Sequence, residues 1–203
     1  MKFVAIILLL LTSIFLIACS ANQASNKISN SELENLASKY GGVYVFNQKF
    51  VEEIDRREAE RKELSKKMKG RDLGGGLYAV DPKPINEKFP QILSNGKQYY
   101  TINNYRKAVK LSKIYINKII DYMGQENYYK FTPSINLWSF YIDNMDNIVP
   151  IELTVTYSYK AKKYGLFGDE GAGFSLSRDE IYTIKGGNIF YFDNHKNTFI
   201  KNK

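Results

Sequence analysis

Residues 148–160, IVPIELTVTYSYK, constrain the fold of this 203-residue chain more than any other stretch. Ile151, Leu153, Val155, Tyr157 and Tyr159 alternate with Glu152, Thr154, Thr156 and Ser158. A period of two, filled by branched and aromatic side chains, fits an extended strand. A helix would scatter the same residues around its axis. One face is apolar and the other polar, so the strand belongs to an antiparallel sheet buried on one side. The runs YYKFTP, SINLWSFYI, GFSLS, EIYTI, NIFYF and TFI are of the same type, with turn signals at DNMDN and KGGN. Gly186-Gly187 predicts that Ile181–Ile184 and Ile189–Phe192 pair as a hairpin.

The first half reads differently. Ser31 opens a short helix over Glu32–Tyr40, and Gly41-Gly42 ends it. Val43–Phe46 is a short strand. Asn47 caps a helix from about Gln48 to Lys69, with Gly70 as its stop and a thin apolar stripe of Phe50, Ile54, Leu64 and Met68. Acids precede bases at four-residue spacing, as in Glu53 and Arg57, which supports that helix by a few tenths of a kcal/mol per pair. The strongest helical pattern covers Tyr105–Met123, where Tyr105, Ala108, Val109, Ile116, Ile119, Ile120 and Met123 share a face and Gly124 closes the helix. Short strands are expected at Leu77–Val80 and Tyr99–Ile102. The expected class is α+β, with N-terminal helices followed by an antiparallel β-meander packed on the Tyr105–Met123 helix. Residues 32–203 form one globular domain, with Gly74-Gly75-Gly76 and Pro82, Pro84 and Pro90 marking a hinge or lobe boundary near 70–96. In element order, residues 100–203 resemble cone-shaped folds of the nuclear-transport-factor-2-like kind, some of which serve as bacterial immunity proteins.

The chain begins with Lys2 and an apolar run, Phe3–Ile17, that is short for a membrane span of about 20 residues. Leu16-Ile17-Ala18-Cys19 follows. These four residues resemble the lipobox of bacterial lipoproteins. The resemblance implies lipid transfer to the Cys19 thiol, cleavage after Ala18, removal of residues 1–18 as a signal peptide, and acylation of the new amino terminus. A diacylglycerol plus an amide-linked chain would hold the protein on a membrane, since one chain alone is marginal. Residues 19–31, rich in Ser, Asn and Ala, read as a flexible tether. Ser20 stands where an aspartate would favour inner-membrane retention, so a Gram-negative source would place the protein on the outer membrane, facing the periplasm.

Cysteine and histidine counts exclude more than any motif does. Cys19 is the only cysteine and the lipid consumes it, so neither an intrachain disulfide nor a cysteine nucleophile remains. His195 is the only histidine, which rules out multi-histidine zinc sites, and it sits among turn formers in FDNHKN with no nucleophile elbow elsewhere. No cofactor or metal site is expected. The net charge of +8 on an exported chain suits anionic headgroups, glycans or an acidic protein, and nucleic acid is not an expected partner.

Two stretches are candidate contact surfaces. In YYKFTPSINLWSFYIDNMD, strand alternation puts Trp138 with Phe140 on one face and Leu137 with Tyr141 on the other. In KKYGLFGDEGAGFS, Leu166 and Phe167 sit among glycines with Asp169 and Glu170 at the tip, as in a mobile contact loop. Trp138, Tyr141, Leu166 and Phe167 are therefore the expected partner-binding residues. The expected role is a non-enzymatic, membrane-anchored envelope lipoprotein that holds a protein partner, in one version as an immunity protein against a periplasm-acting toxin. The alternatives are a glycan-active enzyme using Asp143, Asp146 or Glu152, and an envelope-assembly or structural lipoprotein.

Overall fold

The computed structural model describes residues 31–105, 110–171 and 173–202. The expected signal segment, Cys19 and the expected tether up to Asn30 lie outside the described residues, as do Ala108 and Val109 of the expected stripe, whereas Ser31 is the first residue of α1. In chain order the elements are α1 (31–40), β1 (Gly42–Val45), α2 (Gln48–Lys67), the hairpin β2 (Arg71–Gly74) and β3 (Leu77–Ala79), α3 (Lys83–Lys88), β4 (Tyr99–Thr101), α4 (Lys113–Met123), α5 (Gln125–Lys130), β5 (Ser134–Ile142), β6 (Ile148–Asp169), β7 (Gly173–Lys185), β8 (Asn188–Asp193) and β9 (Thr198–Lys201). The class is α+β. Seven strands form one sheet in the order β4-β5-β6-β1-β8-β9, with β7 also paired to β6.

Two clusters of side chains cover the two faces. Leu153, Val155 and Tyr157 of β6, Tyr44, Phe190 and Phe199 pack against Leu33 and Ala37 of α1 and Ile119 and Met123 of α4. Tyr44 is fully buried, stacks on Phe190 at 4.5 Å and donates its hydroxyl to the Tyr40 carbonyl at 2.8 Å. On the opposite face, Ile54 of α2 meets Leu93, Tyr99 and Ile151. The change of side is visible in the β4–β5 ladder. Tyr99 pairs with Tyr141 towards α2, and the neighbouring pair, Tyr100 and Phe140, points to the larger cluster. Asn47 caps α2 as expected, accepting from the Phe50 amide at 3.2 Å, and α2 ends at Lys67.

Four sequence expectations need correction. First, α4 does not begin at Tyr105. It starts at Lys113, with the Ser112 hydroxyl accepting from the Ile114 amide, and residues 110–112 are not helical. Asn104 is indeed a turn former, but its side chain accepts from the Thr101 amide, and Tyr105 packs edge-on against Phe140 at 5.1 Å. The buried stripe of α4 is Tyr115, Ile119, Tyr122 and Met123, so the tyrosines replace isoleucines on the core face. Second, Tyr128 and Tyr129 lie in helix α5 instead of a strand.

Third, a pair of register shifts breaks the alternation of β5 and β6. Leu137 pairs with Leu153 and Ser139 with Glu152, which leaves Trp138 as an extra residue on β5. Phe140 then pairs with Pro150, which leaves Ile151 as an extra residue on β6. Trp138 is therefore 46% exposed while Phe140 is fully buried, and Ile151 turns towards α2. Bulges re-aim side chains in this way and also tolerate a proline, which cannot donate to the ladder.

Fourth, Gly186-Gly187 is not a hairpin turn. β7 pairs with β6, whereas β8 runs parallel to β1 and antiparallel to β9. Thr156 registers with both Ser134 of β5 and Lys185 of β7, and Val155 with Gly42. β7 and β1 therefore meet end to end along one edge of β6, and β1 wedges β8 away from it. The sheet is mixed at this point because β1, a strand from the start of the chain, lies between β6 and β8 and runs parallel to β8. Gly41 and Gly186 make the crossing feasible. A Cβ on Gly186 would lie 2.1 Å from both the Ala37 and Gly41 carbonyl oxygens. Asn188 fixes the step by donating its amide to the Ser38 and Gly41 carbonyls at 2.7 and 2.8 Å.

Candidate functional site

β6 is 22 residues long, far beyond the usual five or six. Its first part lies between β5 and β1. Beyond Thr156 its only strand partner among the described residues is β7. The two strands thus leave the sheet as an arm with two unpaired edges. Tyr157 roots the arm in the core, where burial holds its phenol well above the ordinary range. Above it, Tyr159 stacks on Tyr182 at 5.4 Å and Ser158 bonds with Thr183 at 3.1 Å.

An ion cluster stiffens the middle of the arm. Glu180 accepts from the Tyr182 hydroxyl at 2.7 Å and from Arg178 at 2.5 Å, and Lys163 approaches it at 3.4 Å. The Tyr182 hydroxyl and these cations hold the Glu180 carboxyl down at about 2. A register shift between Tyr164 and Phe167 then bulges β6. The Phe167 ring folds over Gly165, and the Arg178 guanidinium sits 4.5 Å from its centre. Gly168 is in the left-handed region, at φ 112°, and the chain turns at Glu170-Gly171.

Leu166 and Phe167 are therefore strand residues of a hydrogen-bonded arm instead of members of a mobile loop. Leu166 is 70% exposed and Leu176 is 77% exposed. Tyr164, Phe174 and Ile181 are also largely exposed. Sequence reading missed these last four residues. Two signals pointed to them: the alternation of Phe174 and Leu176 with serines, and a β6 pattern too long for any partner except its own hairpin.

The remaining candidates lie apart from the arm. Trp138 stands on the β5 bulge, and Tyr141 packs edge-on against Phe50 at 5.9 Å, both in the body of the sheet. Asp143 accepts from the Met145 and Asn147 amides at 2.8 and 2.9 Å, which holds its carboxyl below the usual range and closes the β5–β6 turn. Asp146 occupies a positive-φ position of that turn. Glu152 accepts from the Ser139 hydroxyl at 2.6 Å, and burial, with Asp55 of α2 adding to it, pushes its carboxyl up. His195 is exposed in the β8–β9 turn. An open depression of about 540 Å³ lies at the start of α2, between Phe46, Lys49, Phe192 and Asn194; Gln48 and Glu52 on its rim bond to each other. Among the described residues no group of three or more His, Cys, Asp or Glu is placed to hold a metal ion, and no helix is long and apolar enough to cross a membrane.

No family model matches the chain, and no curated protein or solved structure does so either.

Proposed function

We propose that the chain is a bacterial envelope lipoprotein, anchored through lipid on Cys19, whose domain binds a protein partner with the β6–β7 arm and catalyses no reaction. The observation that carries the reading is the exposure of large apolar side chains along a two-stranded arm, Tyr164, Leu166, Phe174, Leu176 and Ile181 above all, with Tyr182 also 41% exposed. Phe174 and Leu176 lie on one face of the arm, and Ile181 and Tyr164 on the other. Large apolar side chains concentrated on one protrusion mark an interaction site, because water contact costs about 25 cal/mol for every Å² left uncovered. The two free edges add unpaired backbone donors and acceptors, which a partner strand satisfies. Lys160, Lys162 and Lys163 on β6 and Lys185 on β7 discourage indiscriminate strand pairing. An immunity protein would use the same surface to cover a periplasm-acting toxin.

Photo-crosslinkers at Leu166 and Leu176 in the full chain, compared with one at exposed Ile114 on α4, test the reading. The arm positions are expected to give one discrete protein adduct in envelope preparations and Ile114 none. Leu176→Ala is expected to weaken the purified pair by about 1–2 kcal/mol and leave the melting temperature unchanged. Adducts formed equally from Ile114, or none from either arm position, would overturn it.

A further inference from the structure

The β2–β3 hairpin is a second protrusion, and its chemistry differs from that of the arm. It follows α2 directly and turns through Gly74, Gly75 and Gly76, all at positive φ and with no atom near their would-be side chains. Leu73, Leu77 and Tyr78 are exposed there, Leu77 by 67%. The last turn of α2 and the segment after it place Lys66, Lys67, Lys69 and Arg71 at the hairpin's base, all of them exposed. Lys66 is bonded to Glu63 at 2.7 Å, whereas Lys67, Lys69 and Arg71 make no ion pair among the described residues. The nearby Asp72 carboxylate, also exposed, accepts from the Gly74 amide at 2.8 Å and shapes the turn, so the base still carries an excess of cations.

We propose that this hairpin docks on an anionic bilayer, with Leu73, Leu77 and Tyr78 in the interface and Lys66, Lys67, Lys69 and Arg71 on the headgroups. A cationic collar behind a small apolar tip matches the two layers of such a surface: charge in the headgroup plane and hydrocarbon beneath it. Tyrosine suits the boundary, with an apolar ring and a polar tip. Glycines let the tip enter with little bulk. The arm lacks such a collar at its tip, where the sequence carries Asp169 and Glu170 in place of lysines. The hairpin's role stands independently of what the arm binds.

The test uses the full chain with Cys19→Ser, reconstituted into vesicles of phosphatidylcholine with or without phosphatidylglycerol. A polarity-sensitive fluorophore is attached at Leu77→Cys, or at Leu166→Cys as the control. Because Cys19→Ser leaves no lipidation site, flotation itself reads docking, and a chain that does not float with the anionic vesicles would overturn the proposal. The Leu77 probe is expected to shift to the blue and to be quenched by brominated acyl chains in the anionic vesicles only. The Leu166 probe is expected to keep its aqueous emission in both. Lys67→Glu, Lys69→Glu and Arg71→Glu together are expected to abolish the shift, each lost cation weakening docking by roughly fivefold. A Leu77 probe that stays aqueous on floated anionic vesicles would overturn the proposal. So would a shift that is equal in both lipids or unchanged by the charge reversals. A shift that appears only when the protein partner is added would assign the hairpin to that partner instead.

Discussion

Replacing Gly186 by alanine is expected to be far more damaging than the same change at Gly187, although the two are neighbours in sequence. A methyl on Gly186 would stand 2.1 Å from the carbonyl oxygens of Ala37 and Gly41 and 2.5 Å from the Gly41 carbonyl carbon. Carbon–oxygen contacts settle at about 3.3–3.6 Å, so the α1 end and the β8 start would have to separate by more than about 1 Å. Overpacking of this kind costs about 1–3 kcal/mol. The separation would also stretch the two hydrogen bonds of Asn188 to Ser38 and Gly41, each worth about 0.5–1.5 kcal/mol. The total is about 2–6 kcal/mol, a large share of a typical domain stability of 5–15 kcal/mol. A methyl on Gly187 would meet no atom within 4 Å, and neither glycine has a positive φ. Gly187→Ala is therefore expected to stay within about 1 kcal/mol of the parent, with loss of unfolded-state entropy favouring the variant. Urea unfolding of the two variants, followed by circular dichroism, measures the difference directly. A hairpin turn at this place would need positive φ at its glycines and would make both substitutions costly. Equal losses at the two positions would refute the crossing argument.

Two further outcomes are expected. Glu152→Gln keeps an acceptor for the Ser139 hydroxyl and removes a half-buried charge. Burial raises the folded-state value of Glu152, so its cost is absent below the ordinary carboxylate value of 4.5 and grows as pH rises through the folded value. The variant is accordingly expected to gain stability at pH 7 and none near pH 4, and a variant less stable than the parent at pH 7 would show that the ionised hydrogen bond outweighs desolvation. Cys19→Ser is expected to abolish incorporation of a labelled fatty acid, since a hydroxyl does not replace the thioether acceptor, and label retained by the variant would remove the anchor.

The class of the fold was legible because β6 alternates so regularly and because α2 carries its own cap and stop signals. What was not legible came from contacts between distant segments. The wedge of β1 between β6 and β8 depends on Gly41 meeting Gly186, 145 residues later in the chain. Locally, KGGN satisfies every rule for a hairpin. The exposure of Trp138 depends on a bulge whose only sequence mark is Pro150 on the facing strand. α4 misled the periodicity argument because the stripe continued through Tyr105, while the chain stops to place that ring on Phe140. At the candidate site, Leu166 and Phe167 drew attention as apolar residues among glycines, a rule that favours loops. The pairing of Tyr164 with Ser177 and of Phe167 with Ser175 makes the same residues part of a ladder.

That ladder changes what binding through the arm would require. A flexible loop loses conformational entropy when it meets a partner, about 1–2 kcal/mol for each residue whose backbone is fixed. Here the β6–β7 ladder, the cross-strand stack of Tyr159 on Tyr182 and the Lys163–Glu180 pair hold the backbone in place beforehand. Little ordering is left for the encounter, so contacts made by Phe174 and Leu176 on one face of β7 would carry through to affinity instead of offsetting it. The same reasoning gives Arg178 a role distinct from contact. It lies over the Phe167 ring and on the Glu180 carboxylate at once. Arg178→Met would therefore loosen the arm tip without removing any exposed apolar side chain. Hydrogen exchange of the amides near Phe174 and Leu176 would be expected to quicken, and partner binding to weaken mainly through its association step. Unchanged exchange together with weakened binding would instead make Arg178 a contact residue itself.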